Sequence, residues 1–363
     1  MTVAFEVAVG MVLAVAIGAS TVLAVQEVHQ RWGESSLATA QARAVGESGT
    51  ANGPAGLRTL EGPFELGSDA VDYTLFDGVR DELLLAPLRS GEIKRVKFNY
   101  GGSSISLRID FKNGARAAFK PRQINMHSNP RKEIAAYRIN RLLGLSSVPP
   151  TIGRRFSARK FFAAIDVRSR RFMPRLNAEV TLSGDYIDGE LSWWIPIIEH
   201  ATISGYRIDT TDGIVTWMRY LAPYARIPRR YRRRLAQISD MIVFDYLIDN
   251  SDRWTGGNAR TNRQGRVLYF MDNTMSFGRD PRGHKKAQLY FKRARRFSRR
   301  LVARIRALTP EDFRASLRYD KGPFEYLLAE SEIRSMITRR RYILEYVDDL
   351  IETHGEDNVL AFR

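Results

Sequence analysis

The chain has 363 residues, 44% of them hydrophobic, which is the composition of a globular protein long enough for two domains or one large unit with a real core. It contains no cysteine, which excludes disulfides, zinc ribbons, iron–sulfur clusters and thiol catalysis. A net charge of +17 and a pI near 10.2 point to acidic partners: nucleic acid, anionic lipid, phosphorylated ligands or acidic proteins.

Residues 7 to 25, VAVGMVLAVAIGASTVLAV, form an uncharged apolar run. At about 1.5 Å per residue it is roughly 28 Å long, enough to cross a hydrocarbon core. Only Glu6 is charged before it, where a cleaved signal peptide wants Lys or Arg, and Arg31 and Arg43 follow it. These flanks predict an uncleaved single-span membrane anchor over 1–32 with the C-terminal bulk on the cytoplasmic side. Residues 33–63, rich in Gly, Ala, Ser and Thr, read as a flexible linker.

The folded body is expected from residue 64. Alternation over 95–120 predicts strands, with Asn113-Gly114 as a hairpin turn. Asn129 and Pro130 read as the N-cap and first residue of a helix over 132–143, stopped by Gly144. The stretch 156–200 reads as more strands. From 229 helices dominate, broken by short strands near 258–262 and 267–271, and a last helix spans roughly 329–353. Strands first and helices later predict an α+β chain with a β-rich N-lobe, 64–200, and a mainly helical C-lobe, 201–363.

Most of the positive charge lies in RIPRRYRRR, 226–234, and HKKAQLYFKRARRFSRR, 284–300. The ordinary role of such runs is a solvated helix face. The five histidines are scattered, and neither a Walker-type phosphate loop nor a GxSxG or GxGxxG motif occurs.

Four charged residues stand out, each with a bland role when taken singly. Lys120 ends the strand ARAAFK, where a lysine usually snorkels to the surface. Glu133 opens a helix, beside its apolar stripe, where an acid complements the macrodipole. Asp252 sits in the polar loop that follows VFDYLIDN, a natural place for a capping residue, and Asp272 follows the strand VLYFM. The two aspartates are separated by a hairpin that can bring them together, and Asn258 lies between them. Such hard oxygen ligands suit Mg²⁺ or Mn²⁺. Strand lysine, helix glutamate, loop aspartate and strand-end aspartate are also the parts that phosphoryl transfer needs.

Three motifs carry a resemblance. KEIAAYRINRLLGLSSVPP from 132, MIVFDYLIDNSDRW over 241–254 and YFMDNTMSFGR over 269–279 resemble, in that order, segments of the secretory-pathway kinase family of the Golgi casein kinase, xylosyl kinase and four-jointed group. ELSWWIP, 190–196, is similar to its strand entering the hinge. The resemblance covers roughly 95–353 and implies an atypical, two-lobed kinase fold and an ATP-dependent kinase using Mg²⁺ or Mn²⁺. In it Asp252 is the catalytic base, Asp272 the metal ligand, and Lys120 and Glu133 the nucleotide lysine and its helix partner. Trp194, Ile195 and Pro196 line the adenine edge, and the GGSSIS segment, 101–106, reads either as a hairpin turn over the phosphates or as a plain flexible turn. Asn258 is added as a second metal ligand from its spacing alone. Departures are equally plain. The family's cross-linking cysteines are missing, there is no Asn-x-Ser/Thr sequon, and Trp254 and Thr255 replace histidines after Asp-Arg.

The expected activity is transfer of the γ-phosphate to a hydroxyl of a protein or glycan, with an acidic acceptor or the anionic leaflet as partner for the basic clusters. A pseudokinase scaffold or activator of the same fold is the alternative. A basic nucleic-acid-binding membrane protein is the weakest reading, since aromatic interleaving is sparse and no stacking motif occurs.

Overall fold

The computed structural model describes residues 75–255, 257–318 and 322–363. Of these, Ile195–Ile198 group as a small unit of their own, an irregular stretch bent at Pro196, and all others belong to the second unit. The apolar run 7–25, the linker and the expected start at 64 lie outside the described residues. Among the described residues no helix is long and apolar enough to cross a membrane.

The second unit has an α+β, kinase-like fold. Its main sheet contains β1 (Ile93–Phe98), β2 (Leu107–Phe111), β3 (Arg116–Pro121), β4 (Thr151–Ser157), β5 (Leu182–Ser183) and β6 (Tyr186–Trp193), ordered β1-β2-β3-β6-β4 with β5 beside β6. All pairs are antiparallel. The β2–β3 turn forms where Asn113-Gly114 predicts it: Gly114 has φ 88° and the Ala115 N–H donates to Asn113 Oδ1. β3 and β6 approach closely because residue 189 is glycine. A Cβ there would lie 2.5 Å from the Lys120 carbonyl oxygen and from the Phe119 ring.

Helix α1 (Asp81–Ser90) was not foreseen, and α2 (Pro130–Leu142) was. Asn129 caps α2 by accepting from the Arg131 N–H, and Pro130 supplies its first turn. The helix is held from both sides. Asp81 of α1 accepts from Tyr137 Oη at 2.9 Å and from Arg141 Nε at 2.6 Å, while Arg304 Nε donates to the Leu142 carbonyl at 2.8 Å.

The segment expected as strands over 156–200 is half helical. Ala158–Ala163, a 3₁₀ turn at Val167–Phe172 and Met173–Glu179 intervene before β5. The local signals are the Asp166 side chain accepting from the Arg168 N–H and Pro174 in the first helical turn.

The helical part contains α3 (Thr211–Tyr220), also unforeseen, then α4 (Arg229–Ile248), α5 (Lys285–Arg293) and α6 (Glu330–His354), with shorter helices between α5 and α6. In α4 the first six residues are polar, but Leu235, Ile238, Met241, Ile242, Phe244 and Leu247 are fully buried. Removing one such side chain, as in Phe244→Ala, costs about 3–5 kcal/mol. A small sheet of β7 (Glu199–His200), β8 (Ala259–Thr261) and β9 (Leu268–Phe270) lies beside it. Helix α6 buries Ile333, Met336, Ile343 and Val347, and its Arg339, fully buried, donates to the carbonyls of Leu247 and Asp280. That arginine fastens the end of α4 to the segment following β9.

Candidate active site

Lys120 is not a snorkelling surface residue. Its side chain is 12% exposed, and Nζ lies 2.8 Å from Glu133 Oε1 and 2.6 Å from Asp272 Oδ1. Strand β3, helix α2 and the turn after β9 therefore meet at one ammonium group. Burial by itself would lower the lysine pKa, but the carboxylates of Asp272, Glu133 and Glu190 outweigh it and hold the group firmly charged. The Lys120 charge in turn holds Asp272 below the usual carboxylate range.

Glu133, expected beside the apolar stripe, is buried. It tolerates burial because both oxygens are used: Oε1 also accepts from the Asn273 N–H at 2.9 Å, and Oε2 from Asn273 Nδ2 at 3.1 Å.

The polar loop after α4 begins with Asp249 in the left-handed region at φ 58°, which ends the helix. Asp252 follows with its backbone N–H on Asn250 Oδ1 at 3.0 Å. Its carboxylate accepts from Thr255 Oγ1 at 2.5 Å and from Asn258 Nδ2 at 2.9 Å. Asn258 thus donates its amide N–H to Asp252; a metal would take its Oδ1, so its ligand role stays with the spacing argument.

Two buried residues join the aspartate segments. Arg253, fully buried, sits on Asp245 at 3.1 Å, donates to Asn273 Oδ1 at 2.8 Å and Asn258 O at 3.1 Å, and also reaches the Met271 carbonyl. Asn250 Nδ2 donates to Asp272 O at 3.3 Å and Asn273 Oδ1 at 3.2 Å. Burial pushes the Asp245 carboxyl up to about 6 despite the attraction of Arg253. Asp272 itself is left-handed at φ 57°, a conformation a non-glycine residue holds only when its surroundings over-determine it.

Glu190 was missed. It is paired across the sheet with Lys120, is 1% exposed, and accepts from Ser192 Oγ at 2.8 Å, which in turn meets Thr151 Oγ1 at 2.9 Å. Burial and repulsion from Glu133 and Asp272 push its carboxyl up to about 8, against the pull of Lys120. An acid between Gly189 and Leu191 in a buried strand was the available signal.

Trp194 follows β6. Its N–H donates to Arg116 O at 3.2 Å, and its ring faces the Arg108 guanidinium at 5.5 Å. Ile195 and Pro196 belong to the other unit, so their adenine-edge assignment stays with the resemblance. The 101–106 turn has Gly101 and Gly102 at positive φ and is tied down by the Ile105 N–H on Gln123 Oε1 at 2.7 Å.

Among the described residues no three His, Asp or Glu groups stand together in a metal-holding cluster. The donors present are the Asp272 carboxylate, whose side chain is 44% exposed, and the carboxylate of Asp252. One or two carboxylates completed by phosphate oxygens is the usual manner of a Mg²⁺ site in phosphoryl transfer, so these residues fit a cation that arrives with a nucleotide.

Comparison with known proteins agrees with this geometry. A family model described as "Golgi casein kinase, C-terminal, Fam20" matches residues 216–359. The chain is 25% identical over 305 residues to mouse pseudokinase FAM20A, covering 72% of this chain and 56% of that one. It is 22% identical over 330 residues to human extracellular serine/threonine protein kinase FAM20C, covering 77% and 56%. To human glycosaminoglycan xylosylkinase it is 21% identical over 262 residues, covering 61% and 63%. The chain thus spans only about half to two thirds of these relatives' length. The crystal structure of the Golgi casein kinase superimposes with a TM-score of 0.61 at 20% identity, covering 77% of each chain, and its Mn/ADP-bound form with 0.59 at 21%, covering 77% and 79%. This likeness establishes the fold.

Proposed function

Since the C-terminal part of the chain, residues 216–359, belongs to the Golgi casein kinase (Fam20) family, we propose that the protein is an ATP- and metal-dependent kinase that phosphorylates a hydroxyl of a protein or glycan. The observation that carries this reading is the convergence of Glu133 and Asp272 on Lys120, with Asp252 tied into the same network through Arg253 and Asn273. The relatives support it by name, as a serine/threonine kinase and a glycan kinase, and one related structure holds Mn and ADP.

In this reading Lys120, kept charged and aimed by Glu133, neutralises phosphate oxygens of ATP. Asp252, oriented by Thr255 and Asn258, accepts the proton of the acceptor hydroxyl. The hydroxyl oxygen bonds to the γ-phosphorus as the bridging P–O bond breaks and ADP leaves. Asp272 would hold a Mg²⁺ or Mn²⁺ ion, which when bound would supply electrostatic stabilisation of the phosphate charge. The pairing of Lys120 with Asp272 keeps both groups ready at the place where phosphate charge will accumulate.

Residues 64–200 and 201–363 then act as the two lobes, with Trp194 at the adenine edge, a role that Ile195 and Pro196 share by the resemblance alone. The apolar run 7–25 serves as the membrane anchor, with the kinase body in the cytoplasm, a compartment that contains ATP. The test is transfer of γ-labelled phosphate by the full chain, with Mn²⁺, to serine peptides and to glycans. A second reading, a scaffold of the same fold, draws on the likeness to pseudokinase FAM20A. Nucleotide binding without transfer to any acceptor or to water would favour it.

A further inference from the structure

Between Asp212 and Asp240, and again between Asp252 and Asp272, the chain contains no acidic residue. The fold brings these two segments together. Arg234 of α4 donates to the Gly265 carbonyl at 2.7 Å, and Gln237 donates to the Arg266 carbonyl at 2.8 Å. The β8–β9 turn is thereby fastened along the first turns of α4. Around this seam Arg229, Arg230, Arg232, Arg233, Arg263 and Arg266 are all exposed, and none meets a carboxylate among the described residues. Where acids are present nearby, exposed arginines do pair, as Arg299 does with Glu356 and Asp357 and Arg306 with Asp348.

Crowded like charge is unfavourable by itself. Neighbouring Arg234 shows it: burial and the nearby Arg233 push its guanidinium down to about 10. A solvated face needs neither six unpaired arginines nor two acid-free segments joined at one place. Such a surface is suited to a partner with closely spaced negative charge.

We propose that this arginine face is a docking surface for anionic lipid headgroups. Two observations choose a membrane over other polyanions. The same chain carries the apolar run 7–25, which, as the anchor proposed above, would keep the body within reach of a bilayer, and the proposal rests on that reading. In addition, aromatic side chains of the kind that stack on bases are sparse on the face, where Tyr231, half-buried, is engaged by Tyr220 and by the Arg230 guanidinium. The surface also has a consequence for the acceptor. It lies at the N-terminal end of α4, and the loop bearing Asp252 leaves the other end, about 28 Å away along the helix axis. Docking therefore holds the site away from the bilayer and open to acceptors in the aqueous phase. The proposal does not depend on the phosphotransfer reading.

The test uses the full chain, which has no cysteine, so that Gln264→Cys in the exposed turn carries a single fluorophore. The labelled protein is reconstituted into phosphatidylcholine vesicles with or without phosphatidylserine, each containing a headgroup-linked quencher. The expected result is quenching that depends on phosphatidylserine, is reversed by salt, and is lost in an R229E/R230E/R232E/R233E variant. Each arginine changes partition about fivefold near the surface. A label at exposed Val167→Cys, in the 3₁₀ turn beside the main sheet, is expected not to respond. Equal quenching in neutral and anionic vesicles, an equal response at both labels, or abolition of the wild-type response by an equimolar soluble nucleic acid at physiological salt would overturn the proposal. Should the variant unfold, the lipid comparison on wild-type protein still decides.

Discussion

Arg253 donates to Asn273 Oδ1 at 2.8 Å, and through that bond the loop carrying Asp252 is locked to the turn carrying Asp272. The same guanidinium neutralises the buried Asp245. Arg253→Ala strands that carboxylate without a partner, and loss of one member of a buried pair costs about 3–5 kcal/mol. Denaturant unfolding is expected to show a loss of this size, and a loss below about 1 kcal/mol would mean the pair is no keystone.

Glu133 aims Lys120 without touching substrate. Glu133→Gln keeps the shape and, through its one oxygen, the bond from the Asn273 N–H, but it removes the charge and the acceptor for Asn273 Nδ2. Phosphotransfer is expected to fall by up to about 100-fold, the scale of a misplaced positioning group, with a raised KM for ATP and a stability loss of about 1–3 kcal/mol for the unmade buried bond. Unchanged kinetics would show that Asp272 alone fixes the lysine.

Glu190 gives a pH signature. Its carboxyl is raised from an ordinary 4.5 to about 8 in the folded protein. The folded state therefore holds a proton that the unfolded chain releases. This contribution is complete below about 4.5 and is lost as pH rises towards about 8. Asp245 and Asp240, raised by burial to about 6 and about 7, act with the same sign. Glu190→Gln is expected to flatten, without abolishing, the fall of stability between pH 5 and pH 8, read from melting curves at several pH values. Parallel curves for variant and wild type would contradict a neutral Glu190.

The elements readable from sequence were those with strong local chemistry. Asn129-Pro130 announces α2, Asn113-Gly114 the β2–β3 turn, and the apolar period of the last helix announces α6. The helices between 158 and 179 were hidden because they are six or seven residues long, too short to show a helical period, and the Asp166 cap and the first-turn Pro174 were weak cues. In the site, Lys120, Glu133 and Asp272 were found as residue types in a workable order. Burial of Glu133 was not legible, because it depends on Asn273, distant in sequence. Glu190 was overlooked for the same reason: its meaning comes from cross-strand pairing with Lys120.

If Lys120, Glu133, Asp252 and Asp272 act as one phosphotransfer site, Mn²⁺-dependent turnover of γ-labelled ATP distinguishes the wild-type full chain from Asp272→Ala with matched circular dichroism spectra. The wild type is expected to turn ATP over in a reaction that chelation abolishes, and the variant to show none above background. Metal-dependent turnover in Asp272→Ala equal to that of the wild type would contradict a single site.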